Sequence, residues 1–406
     1  MIAGLVTGLA LLATVPQHPP APGGAAPIVV RGETVHTLHG AALTPGVVVV
    51  QQGKIIAVGR AADVVVPAGA RELTAKVVTP GLIDAHATVG LSGLLNVPHD
   101  QDQLERSNAM QPELRALDAF NPRDELVAWV RSFGVTTVHT GHGPGALISG
   151  QTMAIKTHGR SVEQDVVRPL VMVAVTLGDG GRGDGGKAPG TRAKAVAMLR
   201  EQLLATQAYV VKRGKDAAAA VDLGHETLAK VLAGEVPLLI TAHRAYDLAS
   251  ALRVADEFGV RVVLDGAAEA YLMLPQLLLA KVVVLPHPAM ARTGGELANG
   301  TMRLPALLHE AGVPFALQSG YESYVPKTRV VLLEAAVAVG RGLPAEVALR
   351  ALTIDAARLC GIDGRTGSIA VGKDADLALY DGDPFEYTTH CLGTVIDGVP
   401  YLDSPR

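Results

Sequence analysis

The chain has 406 residues, with 39 acidic and 35 basic side chains and a formal net charge of −4. Without a long run of like charge it lacks the electrostatic footprint of a nucleic-acid or anionic-membrane binder, which leaves small molecules and proteins as partners. Aromatic residues are only 3% of the chain and the mean hydropathy is positive, which excludes extended disorder.

Residues 1–15, MIAGLVTGLALLATV, form an apolar run too short to span a bilayer, and PQHPPAPGGAAP after them reads as a linker. Residues 1–27 are therefore expected to be a signal-like segment with a Pro-rich linker, which points to a periplasmic or secreted protein without an integral membrane domain. From 28 to 80, IVVRGETVHTL, GVVVVQQGKIIAVG and the turn at Pro67 to Gly69 predict short antiparallel strands. The same style returns over 363–406 in GSIAVGKDAD, LALYDG and TVIDGVPYLD.

Between these segments β and α patterns alternate. Strands are predicted at 82–88, 135–140, 170–177, 237–243, 260–265, 282–285 and 314–318, with 152–157 as a further extended stretch. Helical patterns cover 123–132, 192–212, 247–257 and 328–339. Two β segments flanking such a stretch predict an α/β fold, a TIM-like (β/α)8 barrel over 81–362 inserted into a small discontinuous β-sandwich made by 28–80 and 363–406. Cys360 and Cys391 are too few for a disulfide framework and read as unpaired thiols.

In such a barrel the functional residues lie at the C-terminal ends of the strands. Strand alternation turns His86 and Thr88 to the same side. His139 and His142 fall in VHTGHGPG after the second strand, His243 ends LLITAHR, and His287 follows VVVLP. Asp265 and Glu269 could add carboxylates at the rim, whereas His36, His39, His225, His309 and His390 fall in the sandwich or on helices. Glycines 141, 143 and 145 read as a turn. The loop GDGGRGDGGKAPGTR, 178–192, lacks the lysine followed by Ser or Thr that a phosphate-binding loop needs and reads as a lid or surface loop.

The segments PGLIDAH, GVTTV, GSIAVGKDADLALYDGDPF and VIDG together resemble the amidohydrolase superfamily, in particular its imidazolonepropionase-like exported branch, over nearly all of Ile28 to Leu402. The resemblance implies two metals held by His-x-His on the first strand, a carboxylated lysine, two further histidines and a late aspartate that handles the proton of the attacking water. His86 and His243 match ligand positions. Thr88 replaces the second histidine, and Ala174 falls near the lysine position in LVMVAVTLG. Gly266 follows Asp265 where a histidine is expected, and Gly320 takes the place of the aspartate.

The expectation is therefore a protein of amidohydrolase ancestry, hydrolases of non-peptide C–N bonds, that has largely lost the binuclear site. It would persist as a non-catalytic homologue or subunit, either as a homo-oligomer or as a hetero-oligomer with an active amidohydrolase paralogue, or by holding a small amide ligand in the old pocket. No cofactor is assigned under that reading. The alternative is a rewired mononuclear site, in which three of the imidazoles of His86, His139, His142, His243 and His287 hold Zn2+ and leave a position open for water.

Overall fold

The computed structural model describes residues 26–94, 97–183, 185–216, 218–321 and 330–402. Residues 1–25 of the signal-like segment and linker, and the first two residues of the helix expected at 328–339, lie outside the described residues. In chain order the strands are β1 (Ile28–Val35), β2 (Gly46–Gln51), β3 (Lys54–Arg60), β4 (Arg71–Pro80), β5 (Leu82–Ala87), β6 (Val135–Thr140), β7 (Ile148–Gln151) and β8 (Met153–Lys156). They continue with β9 (Val166–Arg168), β10 (Val173–Thr176), β11 (Leu238–Ala242), β12 (Val262–Gly266), β13 (Val283–Pro286), β14 (Leu377–Tyr380), β15 (Cys391–Ile396) and β16 (Val399–Leu402).

Both ends of the chain build one seven-stranded sheet, ordered β16-β15-β14-β4-β1-β2-β3. Its β-branched content suits a pleated surface, and alternation divides that content between two faces. In β2, Val48 and Val50 join a core with Val30, Ile55, Leu377 and Val395, while Val47 and Val49 pack on the opposite face with Val29.

The intervening chain forms two mixed sheets, β13-β12-β11-β10-β7 and β5-β6-β8-β9. Strands β10 to β13 are parallel neighbours, and helices Arg192–Lys215, Leu223–Leu232, Ala245–Phe258 and Leu274–Ala280 fill the crossovers between them. The two sheets meet where Thr152 N–H donates to the Met172 carbonyl (2.9 Å) and Val171 N–H to the Thr152 carbonyl (2.8 Å). On the far side, residues 314–320 lie between β13 and β5. Ala85 N–H donates to the Leu317 carbonyl (3.1 Å) and Gly320 N–H to the His86 carbonyl (3.0 Å).

Ile83, Ala85, Ala154, Met172, Leu239, Val263, Leu285 and Ala316 thereby share one buried cluster, joined by Ala356, Ala357 and Cys360 of helix Ile354–Cys360. Side chains from successive strands pack this interior, which directs chemistry to the strand ends.

Two details depart from the regular alternation read in the sequence. The strand at 152–157 runs antiparallel to β6, and β7, for which no strand was expected, runs antiparallel to β10. The stretch expected as a strand at 314–318 is joined to β13 by an isolated bridge, Val284 with Phe315, and just beyond it Ala87 bridges to Gly320. Cys360 and Cys391 are not joined in a disulfide. Among the described residues no helix is long and apolar enough to cross a membrane.

Candidate functional site

Alternation along β11, β12 and β13 brings Thr241, His243, Asp265 and His287 to one small cavity of about 70 Å3. His86 closes it from β5, and Gln318 and Gly320 from the irregular stretch beyond β13. Four of the seven candidate residues, His86, His243, Asp265 and His287, therefore meet. Thr241 and Gln318 were not among the candidates, although each stands two residues before a position that was inspected, the spacing that keeps a strand residue on the same face.

Asp265 organises the cavity. Its Oδ2 accepts from the Thr241 hydroxyl (2.5 Å) and its Oδ1 from the Gln318 amide (2.7 Å), and Nδ1 of His86 lies 3.4 Å from that same Oδ1. Burial works to raise this carboxyl, but the His86 imidazolium and the two hydrogen bonds outweigh it and bring Asp265 down to about 2. Burial likewise opposes protonation of His86, and Asp265 more than compensates, so the imidazole is held above its ordinary value. Both shifts favour a buried His86–Asp265 ion pair, although neither ring nitrogen of His86 has a hydrogen-bond partner among the described residues. His243, with burial dominant, is shifted the other way and stays neutral.

Asp84 anchors the floor beneath. It accepts from the Ser319 hydroxyl (2.5 Å) and the Ser319 N–H (3.0 Å), and burial raises it to about 6 against those bonds. These contacts tie the first strand to the last stretch of the ring. They fix the main chain on which both His86 and Gly320 stand.

The remaining candidates serve other purposes. His139 lies behind His86, with ring centroids 5.7 Å apart, and is locked between the Ala85 carbonyl and the Thr152 hydroxyl, each at 2.6 Å. Burial and the neighbouring His86 lower it to about 3, so it is neutral. His142 is buried against Gly150, outside the cavity and two residues beyond the end of β6. Glu269 accepts from Ala245 N–H (2.7 Å) and the Asn299 amide (2.7 Å), with Arg244 at 3.6 Å, and so braces the loop after β12.

The pairing sets a pH dependence. His86 is raised in the fold, so its contribution to stability is complete below the ordinary histidine value and fades as pH rises through the folded value. Asp265 is depressed, so its contribution is complete above the ordinary carboxylate value and is lost as pH falls toward about 2. Replacing Asp265 with Asn should drop the His86 titration below the ordinary histidine range. Imidazole NMR titrations of both proteins would check this; an unmoved His86 in the variant would mean that the ion pair does not form.

The shape of the described chain has counterparts. A crystal structure of an amidohydrolase from Thermotoga maritima MSB8 superposes with a TM-score of 0.87 at 28% identity, covering 93% of this chain and all of that one. An adenosine deaminase from Xanthomonas campestris with bound zinc shares the fold more loosely, at a TM-score of 0.54 and 18% identity over 95% of this chain and 94% of that one. Fold neighbours of this kind imply an α/β protein with a TIM-like barrel.

The sequence profile of the Amidohydrolase family matches residues 77–400, and the chain belongs to that family. It is 26% identical over 363 residues to Amidohydrolase tasK of Hapsidospora irregularis, covering 80% of this chain but only 36% of that protein, so it spans little more than a third of that relative's length. It is also 24% identical over 408 residues to an Imidazolonepropionase of Porphyromonas gingivalis strain W83, covering 88% of each.

The residues present do not fit the pair of metals that the family implies. Ala174 is buried on β10 opposite Leu239, with no lysine at hand. The buried lysine of the neighbouring sheet, Lys156, is held by Asp374, Asp376 and Asp397. Gly266 has φ +77°, and a Cβ there would meet Cε1 of His243 at 2.4 Å. Gly320 has φ +67°, and a Cβ would meet Cγ of Pro288 at 2.9 Å. The two positions at which the resemblance led to the expectation of ligands thus have a left-handed backbone and a neighbour already in the space of the side chain.

Proposed function

We propose that this protein is a non-catalytic member of the amidohydrolase family, kept as a folded subunit or binding protein rather than as a metal-dependent hydrolase. The observation that carries the reading is the backbone at Gly266 and Gly320, whose left-handed φ and occupied side-chain space go beyond a simple exchange of residues. A site that had lost ligands alone could regain them by substitution; this one also requires the main chain to turn. Further support comes from Asp265, whose oxygens are engaged by Thr241, Gln318 and His86.

Under this reading a (β/α)8 barrel over 81–362 is inserted into a discontinuous sandwich of 28–80 and 363–406, and residues 1–27 export the chain to the periplasm or medium. The partner is a second copy or an intact amidohydrolase of the same fold, through an interface of at least roughly 1,000 Å2. Light scattering together with co-purification from the native host tests the partner. A strict monomer with no paralogue recovered would remove it.

A second reading rests on His86, His243 and His287 facing one cavity. Three imidazoles on a single Zn2+ would leave a fourth position for water, the pattern of catalytic zinc. Elemental analysis of untagged protein after zinc loading separates the two readings. Less than stoichiometric metal, with a thermal midpoint indifferent to chelator, is expected; about one equivalent per chain would favour the mononuclear enzyme. Thr88→His is expected to bring no metal-dependent turnover of amide substrates, because positions 174, 266 and 320 stay as they are. Measurable turnover by that single variant would overturn the non-catalytic reading.

A further inference from the structure

The helix Arg192–Lys215 is apolar on two faces, of which the fold of one chain uses only one. Ala195, Leu199 and Leu203 turn inward and join the main core. On the opposite side Leu204, Ala205, Ala208 and Val211 share a single helical stripe and are all exposed, Leu204 and Val211 by more than half. Val221 and Leu223, also more than half exposed, flank Asp222, whose N–H donates to the Tyr209 hydroxyl at 3.2 Å, so they stand beside the same helix. A contiguous apolar patch of this kind marks an interaction surface.

The stripe is held in place from both flanks. Arg200 pairs with Glu257 at 2.6 Å on one side, and Tyr209 donates to Glu226 at 2.6 Å on the other. Its charges are ordered along the axis. Exposed Glu201 stands at the N-terminal end of the apolar run, 4.0 Å from Lys194 of the same helix, and exposed Lys212 stands at the C-terminal end. The sequence acid, apolar, base is complementary to its own reverse. A second helix laid antiparallel brings each Glu201 to Lys212 of the other copy, whereas a parallel one would set like charges side by side. In the antiparallel register Leu204 of each helix falls between Ala208 and Val211 of the other.

We propose that the outer face of helix Arg192–Lys215 is the surface on which a second copy of this chain docks, the two helices packing antiparallel about a two-fold axis near Ala205 and Ala208. This rests on the reading of the protein as a folded subunit with a partner, and it names that partner as the chain itself. With 24 residues the helix is about 36 Å long, enough to span the roughly 800 Å2 per partner of a specific interface. Leu204 is the anchor, since it enters the facing gap, while the two Glu201–Lys212 pairs at the rim fix the direction.

Sedimentation equilibrium of the full chain tests the proposal, with circular dichroism to check that each variant stays folded. A dimer is expected at micromolar concentration, and Leu204→Glu should raise its dissociation constant by at least roughly tenfold. Glu201→Lys and Lys212→Glu should each weaken the dimer about threefold, because the symmetry doubles the effect of one exposed pair. Glu201→Lys combined with Lys212→Glu in the same chain should restore it, an outcome that an antiparallel pairing requires and a merely apolar contact would not give. A dimer indifferent to Leu204→Glu, or no rescue in the charge exchange, would overturn this surface and leave the partner reading standing. A monomer that co-purifies with an intact amidohydrolase would do the same, and a monomer with no partner at all would remove both.

Discussion

Lys156→Met is expected to destabilise the folded chain by about 3–5 kcal/mol, the scale of removing one partner from a buried ion pair. The Lys156 side chain has no solvent exposure, and its ammonium lies against Asp376, 3.3 Å from Asp374 and 3.2 Å from Asp397. Burial alone would depress the lysine, but the three carboxylates override it and keep it charged. Asp374 has further support in Lys54 at 2.6 Å and Arg365 at 2.8 Å, and Asp397 has His158 at 3.1 Å. Asp376 has no ion pair besides Lys156 among the described residues, and the Thr366 hydroxyl at 2.7 Å cannot neutralise it.

Methionine fills much the same volume as lysine, so the loss would come from stranding Asp376 rather than from a cavity. The double variant Lys156→Met with Asp376→Asn should therefore recover a large part of the loss, which urea unfolding of the four members of the cycle would measure. Simple additivity of the two substitutions would refute the pairing. The network also ties β8 to the strands of the C-terminal segment. Its three aspartates form the one group of three acidic, histidine or cysteine donors within 4.8 Å of one another among the described residues, and Lys156 occupies it.

That network was invisible in the sequence, although all of its members were present. Asp374 and Asp376 belong to GSIAVGKDAD, while Lys156 stands more than 200 positions earlier; only the folded chain brings them together. Strand positions were easier. The expected strand at 135–140 is reproduced in full as β6, and those at 237–243, 260–265 and 282–285 agree with β11 to β13 within two residues at each end, because apolar β-branched runs bounded by helical patterns carry the signal locally.

Direction is not local. The antiparallel courses of β7 and β8 depend on which strand each meets, and periodicity cannot supply that. At the site, position at strand ends singled out His86, His243, Asp265 and His287, which line one cavity, together with His139, His142 and Glu269, which do not line it. The substitutions at 266 and 320 were legible as missing side chains. Their left-handed backbone was not, since glycine is permissive in either conformation.

Gly266→His, which would place a histidine where the resemblance implies a ligand, is expected to cost about 2–4 kcal/mol and to add no metal binding. Gly266 ends β12, paired with Ala242 and Pro286 on its two sides, and its carbonyl accepts the His287 N–H at 2.6 Å. The backbone is thus held on both edges at φ +77°, a conformation that penalises any Cβ. The new Cβ would also stand 2.4 Å from Cε1 and 2.8 Å from Nδ1 of His243. Relief would require the His243 ring to swing away, and the space beside it is the 70 Å3 cavity.

Gly266→Ala separates the two contributions, because it introduces the Cβ without a new donor. Combined with His243→Ala, the alanine variant should recover the steric part and retain the backbone part of about 1–2 kcal/mol. Denaturant unfolding of the single and double variants, with metal analysis of Gly266→His, would provide both numbers. If Gly266→His were as stable as the unmodified protein and took up a stoichiometric metal, the strand end would be free to turn. The non-catalytic reading would then lose the observation on which it rests.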